Sequence, residues 1–289
     1  MNKAGCFQPR VTDIGMQMVR ILRIGLAAIL TAATAFAEAP ALLHAHAHND
    51  YEHEHPLTDA LSQGFTSVEA DIHLQDGELL VAHSRAQIKP DRTLRKLYLE
   101  PLRQLVRANH GRVHPDRAGF YLLIDYKGDD RFGGGEAIHL KLREQLTEYA
   151  EVLTRFDGTN VQTNAITVVL TGARPMPTVK AESTRYWSID GQLPELSPVE
   201  SPALVPWISF DWPDHFKWKA RAPILPEEDI KLSAMIAKAH AAGRVIRFYG
   251  APDNARFWEC IRTHGVDLVN TDKLKEFAEW CAEHPELNK

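Results

Sequence analysis

Three cysteines in 289 residues cannot staple a fold, so a small disulfide scaffold is excluded and the chain must rely on a buried apolar core. Cys6 lies near the start, and only Cys260 and Cys281 lie in the body of the chain. An oxidising compartment would permit a bridge between those two, but spacing alone does not decide between a bridge and two buried thiols. A strong excess of one charge is also missing. The 33 Lys and Arg against 38 Asp and Glu leave a formal net charge of −5, which offers no electrostatic footprint for nucleic acid. No apolar run convincingly reaches the roughly 20 residues of a membrane span. Gly and Pro, 17 each, are too few for a low-complexity chain, and no internal repeat stands out.

What is present divides into a leader and a body. Arg20 and Arg23 precede an Ala-rich apolar run at 24–37, which closes on Ala35-Phe36-Ala37. A basic stretch, a short apolar stretch and a small-x-small end read as a secretory signal peptide over 1–37, with Met16 or Met18 as alternative starts. An uncleaved anchor or a buried helix is the other reading. Cleavage would remove four basic residues and one acidic one, making the exported chain, periplasmic or secreted, more acidic and free of any stable membrane span. The body, 41–283, is long enough for one barrel-sized domain of about 250 residues.

Apolar strands alternate with helical stretches through this body. Strand patterns fall at 41–46, 65–74, 78–83, 120–125, 165–170, 186–190, 207–211, 244–249 and 266–270. Helical patterns fall at 56–64, 93–110 (with Pro101 a potential break), 136–156, 227–242, 254–264 and 273–283. Repeated strand–helix units imply parallel strands, and about eight of them suit a closed (β/α)8 TIM barrel. A doubly wound open sheet is the alternative. His48, Glu69, Asp71, Asp125, Thr171, Asp190, Asp211 and Asp272 sit at the C-terminal ends of the strands. In a barrel those ends share the face that carries active sites. Thr171 and Asp272 are equally well explained as the start of polar loops.

The sharpest local signal is Val68-Glu69-Ala70-Asp71-Ile72-His73. Strand alternation puts Glu69, Asp71 and His73 on one face, where unpaired charges would be costly and a divalent cation would relieve them. A solvent-facing polar edge strand is the plainer explanation. Asp76-Gly77 then turns the chain towards Leu79-Leu80-Val81-Ala82-His83. A two-residue turn would set His83 opposite Ala70, on the wrong face. A three-residue loop, Gln75-Asp76-Gly77, with the glycine left-handed, would set it opposite Glu69, and that loop is expected. The first strand and its loop add His44, His46, His48, His53 and His55; His46 and His48 share a face, while His53 and His55 read as solvated surface. Trp187, Trp207, Trp212 and Trp218 could frame an apolar pocket or pack loops over the barrel, and Arg247 and Tyr249 could reach a substrate.

Taken in order, these motifs resemble the glycerophosphodiester phosphodiesterase group of the phospholipase-C-like phosphodiesterase superfamily. The family opens His-Arg-Gly, five residues, Pro-Glu-Asn-Thr; here stand His48-Asn49-Asp50, five residues, Pro56-Leu57-Thr58-Asp59. Glu69-Ala70-Asp71, the Asp76-Gly77 turn and Val81-Ala82-His83 follow the family's Glu-x-Asp strand, turn and second histidine. Ile124-Asp125-Tyr126-Lys127 is similar to its Glu-x-Lys strand end, and 265–272 to its closing Gly-Val-Asp-x-Ile-x-Thr-Asp. The resemblance spans residues 44–280. It implies a PLC-like TIM barrel and a metal-dependent phosphodiester hydrolase. Glu69, Asp71 and Asp125 would hold one Mg²⁺ or Ca²⁺, His48 and His83 would serve as general acid and base, and Asn49 and Lys127 would contact the phosphate. The substrate would be a small-molecule or lipid phosphodiester. Asn49 replaces the family arginine, the Pro-Glu-Asn-Thr run is mostly lost, and the stretch after His83 is short. These departures leave three other readings: a lyase forming a cyclic phosphate, as in sphingomyelinase D-like enzymes; a zinc or manganese hydrolase of amidohydrolase or histidinol-phosphatase type, opened by His46-Ala47-His48 with His215 further on; and a non-catalytic binder of phospholipid headgroups or sugars.

Overall fold

In the computed structural model the apolar strands close on one another. The structure describes Met1 and residues 39–288, except 118, 129–133 and 193–199; the expected leader and Cys6 lie outside the described residues. In chain order the strands are β1 (Ala45–Ala47), β2 (Ser67–Gln75), β3 (Glu78–Val81), β4 (Phe120–Tyr126), β5 (Arg155–Asp157), β6 (Asn160–Gln162), β7 (Ile166–Gly172), β8 (Thr184–Arg185), β9 (Trp187–Gly191), β10 (Trp207–Asp211), β11 (Val245–Tyr249) and β12 (Leu268–Thr271). Pairing runs β1-β12-β11-β10-β9-β7-β4-β2, and β1 also pairs with β2 through Ala47 and Val68, so eight parallel strands form a ring. The open-sheet alternative falls away. β3 is an antiparallel appendage on β2, and β6, β5 and β8 make a separate small antiparallel sheet.

Around the ring lie α1 (Thr58–Ser62), α2 (Glu100–Ala108), α3 (Gly134–Thr147), α4 (Met176–Ala181), α5 (Trp212–His215), α6 (Pro226–Ala241), α7 (Ala255–His264) and α8 (Leu274–Glu283). Capping explains the cleanest of them: in α7 the Asn254 side chain accepts from the Phe257 N–H, and Gly265 ends the helix left-handed at φ 88°. Pro101 does not break the helical stretch, because it sits in the first turn of α2, just after a π-helical turn at Arg95–Leu99. No described helix is long and apolar enough to cross a membrane.

Parallel register sorts the ring's interior by height. Tyr121, Leu123, Val169, Trp207, Val245 and Leu268 form an apolar floor. Further along the same strands, towards their C-terminal ends, the inward positions turn polar: Glu69, Asp71, Asp125, Asp190, Ser209 and Arg247. The main core fills the layer between the outer strand faces and the helices.

One expectation needs correction here, and one open reading is decided. The helix expected over 136–156 stops at Thr147 and is followed by β5. Tyr149, Val152, Leu153 and Phe156 keep helical spacing and are all buried, but they pack from turns and a short strand. Periodicity registers burial, and here burial is met without a helix. Of the two readings of the tryptophans, packing holds: Trp187, Trp207, Trp212 and Trp218 are all buried. Trp212 stacks on Phe216 at 4.1 Å and meets Phe248 and Phe257 edge-on. Cys260 and Cys281 are free, with thiols pushed up by burial to about 11 and about 12. Truncating Trp212 to Ala should cost about 3–5 kcal/mol of stability by opening this aromatic cluster, read as a lowered urea midpoint at unchanged slope; a change under about 1 kcal/mol would show that the cluster is not a core.

Candidate active site

Register decides which side chains meet. Asp71 on β2 lies beside Asp125 on β4, which lies beside Thr171 on β7. Glu69 stands one pleat below Asp71 on the same inner face. Ligand-capable oxygens of Glu69, Asp71 and Asp125 all lie within 4.8 Å of one another. Gly172 makes this possible at the β7 end: its φ is 74°, and a Cβ there would stand 1.8 Å from Asp125 Oδ1.

The neighbours answer this crowding unequally. Asp71 is pushed up to about 7, chiefly by burial, then by Asp125 and Glu69, with Lys127 and Tyr51 opposing. Glu69 falls below the usual carboxylate range: burial works against this, but the charges of Arg247 and His48 outweigh it. Lys127 contacts Asp125 Oδ2 and lies 2.9 Å from Asp71 Oδ2. Burial disfavours its charge, yet the two carboxylates raise its pKa above the ordinary lysine value. Even so, Asp71 Oδ1 and Asp125 Oδ1 are buried without a hydrogen-bond partner. Each such acceptor costs about 1–3 kcal/mol. Two orphaned oxygens in an all-carboxylate group fit a hard divalent cation, Mg²⁺ or Ca²⁺. The chemistry does not suit a histidine-bound zinc site. His46 is engaged elsewhere, and His215 lies edge-on to Phe210. His73, expected in line with the two acids, turns instead to the Ala82 carbonyl at 3.0 Å.

The hairpin differs from expectation. Gln75 pairs with Glu78, so the turn has two residues, Asp76 and Gly77, both left-handed at φ 53° and 80°. This register alone would carry His83 away from the carboxylates. The strand ends first, at Val81, and the chain then bends into a 3-10 turn, Arg85–Gln87, boxed by Ser84 and Gln87. Released from the ladder, His83 brings Nδ1 to 3.4 Å from Asp71 Oδ2 and 3.2 Å from the Tyr51 hydroxyl. Tyr51 also lies 2.6 Å from Asp71 Oδ2 and 2.7 Å from Asn49 Oδ1.

At the other seam, His46 pairs with Asn270 and Ala47 with Thr271, so His48 and Asp272 follow side by side. His48 Nδ1 lies 2.8 Å from Asp272 Oδ1. Asn49 adopts the left-handed region at φ 47°, which asparagine tolerates, and its Nδ2 is 3.0 Å from the same His48 nitrogen. Burial lowers the His48 pKa, but the Asp272 contact and the Glu69 and Asp272 charges raise it overall. His46 lies below, fully buried, with Nδ1 2.7 Å from Ser67 Oγ. Arg247 donates to its Nε2 at 2.9 Å, so Nε2 carries the lone pair and His46 stays neutral, held at about 4 chiefly by burial. Arg247 also reaches Ser209, Asn270, Glu69 and Asp190.

One pocket of ≈ 330 Å³ joins these groups: His48, Asn49, Glu69, His83, Asp125 and Lys127 all line it. Its opposite wall brings Arg174, Asp190, Arg247 and Tyr249. His44 bonds the Asp267 carbonyl and His55 pairs with Asp59, both away from the pocket. Three residues escaped sequence reasoning. Asp272 was visible only as a loop start, although pairing the first strand with the last would have found it. Tyr51 and Arg174 carried no local signal.

The family described as "AIM6-like phosphodiesterase domain" matches residues 35–189. The "Altered inheritance of mitochondria protein 6 homolog" of Arthroderma benhamiae is 28% identical over 243 residues, covering 74% of this chain and 74% of that protein. "Altered inheritance of mitochondria protein 6" of Lachancea thermotolerans is 30% identical over 272 residues, covering 78% of this chain and 62% of that one. Among solved structures, a calcium-dependent phosphoinositol-specific phospholipase C from Pseudomonas sp. aligns at TM-score 0.52 and 12% identity, over 82% of this chain and 91% of its own, a likeness of fold.

Asp71 holds a proton more tightly folded, at about 7, than unfolded, near 3.8. Its contribution to stability is full below the lower value and lost as pH rises through the upper one. In chelator, Asp71→Asn should gain stability over the parent at about pH 8 relative to about pH 4. Urea unfolding at both values checks this; a pH-independent difference contradicts it.

Proposed function

The chain belongs to the AIM6-like phosphodiesterase domain family, and on that premise we propose that it cleaves a small-molecule or lipid phosphodiester with one divalent cation and two histidines. The observation that carries this reading is the Glu69–Asp71–Asp125 group, with its two orphaned oxygens, flanked by His48 and His83 in one pocket. Glu69, Asp71 and Asp125 would hold Mg²⁺ or Ca²⁺, which would supply Lewis-acid chemistry to the phosphate. The remaining work falls to side chains. Asp272 orients His48 through Nδ1 and stabilises its protonated form, leaving Nε2 to take a proton from the attacking hydroxyl or water. His83, tied to the other seam by Asp71 and Tyr51, protonates the leaving oxygen. Lys127 and Arg174 offset phosphate charge from two sides, and Asn49 offers an amide.

Replacing His48 or His83 with Ala should lower turnover of bis(p-nitrophenyl) phosphate by about 10²–10⁴. Unchanged turnover in either removes that role. Asp272 raises the His48 pKa, so Asp272→Asn should move the rising limb of the kcat/KM profile to lower pH and lower its plateau. A limb that stays in place refutes the pairing. A panel of glycerophosphocholine, glycerophosphoinositol, lysophospholipid and sphingomyelin with metal-loaded protein identifies the substrate. Checking its product for a cyclic phosphate separates hydrolysis from cyclisation, and binding without turnover would identify a binding protein.

A further inference from the structure

His83 is a wall common to the catalytic pocket and to a second cavity of ≈ 470 Å³. That second cavity differs in charge from the chain, whose net charge is −5. Lys89 and Arg92 line it against a single carboxylate, Glu52. The basic segment is held at both ends: Ser84 and Gln87 box its first turn, and the Arg92 carbonyl accepts from Val81 N at 2.8 Å. The Arg92 guanidinium donates to the Tyr51 carbonyl, and both residues line the cavity. Lys89 is exposed and has no ion-pair partner among the described residues.

We propose that this groove receives a second phosphate group, carried on the alcohol that leaves when the diester is cleaved. The inference rests on the phosphodiesterase reading above. His83 gives its proton to the leaving oxygen, so the departing alcohol lies against His83 and its substituents extend into the cavity behind it. A guanidinium and an ammonium on one segment match a phosphomonoester dianion better than a neutral polyol or an acyl chain. A soluble phosphorylated polyol ester and a phosphorylated lipid headgroup present the same chemistry.

Calorimetry with glycerol 3-phosphate in chelator tests the groove without turnover. Wild type and Asp125→Ala should both bind, and Lys89→Glu should bind about tenfold more weakly. Equal binding by Lys89→Glu overturns the proposal, as does binding that depends on Asp125 instead. In turnover, a diester bearing the extra phosphate on its leaving alcohol should be preferred over its dephosphorylated counterpart. That preference should fall about tenfold in Lys89→Glu and persist in Lys141→Glu on α3. No preference in wild type overturns the substrate class. If neither diester is cleaved while glycerol 3-phosphate still binds through Lys89, the phosphodiesterase reading fails and the leaving-group role falls with it, leaving a phosphate-binding groove. Lys89-dependent sedimentation with vesicles containing a phosphorylated inositol lipid assigns the arm to a lipid; binding confined to the soluble probe assigns it to a soluble ester.

Discussion

Repulsion among Glu69, Asp71 and Asp125 governs how the polar end of the barrel is built, because all three carboxylates face one space. Two unit charges separated by at most 4.8 Å repel by on the order of 3 kcal/mol at an effective dielectric constant of about 20. That exceeds what a typical exposed ion pair returns. The protein answers from within: Arg247 beneath Glu69, Lys127 between Asp71 and Asp125, and Tyr51 on Asp71. The answer is incomplete. One oxygen on each aspartate remains buried and unpaired, and Asp71 is left with a raised affinity for a proton. A site that leaves carboxylate oxygens both buried and unpaired is poised for a cation.

The barrel makes such a site tolerable by separating tasks with height. Tyr121, Leu123, Val169, Trp207 and Leu268 plug the lower interior and exclude water. Directly above, Ser209, Asp190, Arg247, Asn270 and His46 form a continuous polar layer that anchors Glu69. Arg247 suits the centre of that layer because a planar guanidinium reaches several acceptors at once, where a lysine would reach fewer. His46, neutral, accepts one of those bonds and donates to Ser67, so no further charge enters the layer.

Legibility in the sequence followed the range of the interactions. Glu69-Ala70-Asp71 was readable because alternation is a property of one strand, and Asp125 because it ends an apolar run. The ring itself was readable from the count of strand–helix units. The hairpin departs from the expected three-residue loop because ending the ladder at Val81 faces His83 to the carboxylates without that register. The helix expected to continue to 156 failed because buried spacing at Tyr149, Val152, Leu153 and Phe156 survives a change of backbone. Asp272 was read as a loop start because its partner lies 224 positions away, and nothing local announces such a contact.

That separation bears on how the site comes into being. The His48–Asp272 pair exists only where β12 meets β1, and that contact also closes the ring. His83 depends on β2, β3 and the Tyr51 loop, all close in sequence. Asp71 and Asp125 meet where β2 pairs with β4, while Glu69 is anchored by Arg247 of β11. The parts of the site therefore differ in the chain distance they span, and the His48–Asp272 pair spans 224 positions. Closing the barrel and orienting the proposed general base are one event, because the same parallel register, carried one residue beyond Ala47 and Thr271, places the carboxylate on the imidazole. A chain in which the first and last strands fail to pair would lack an oriented His48.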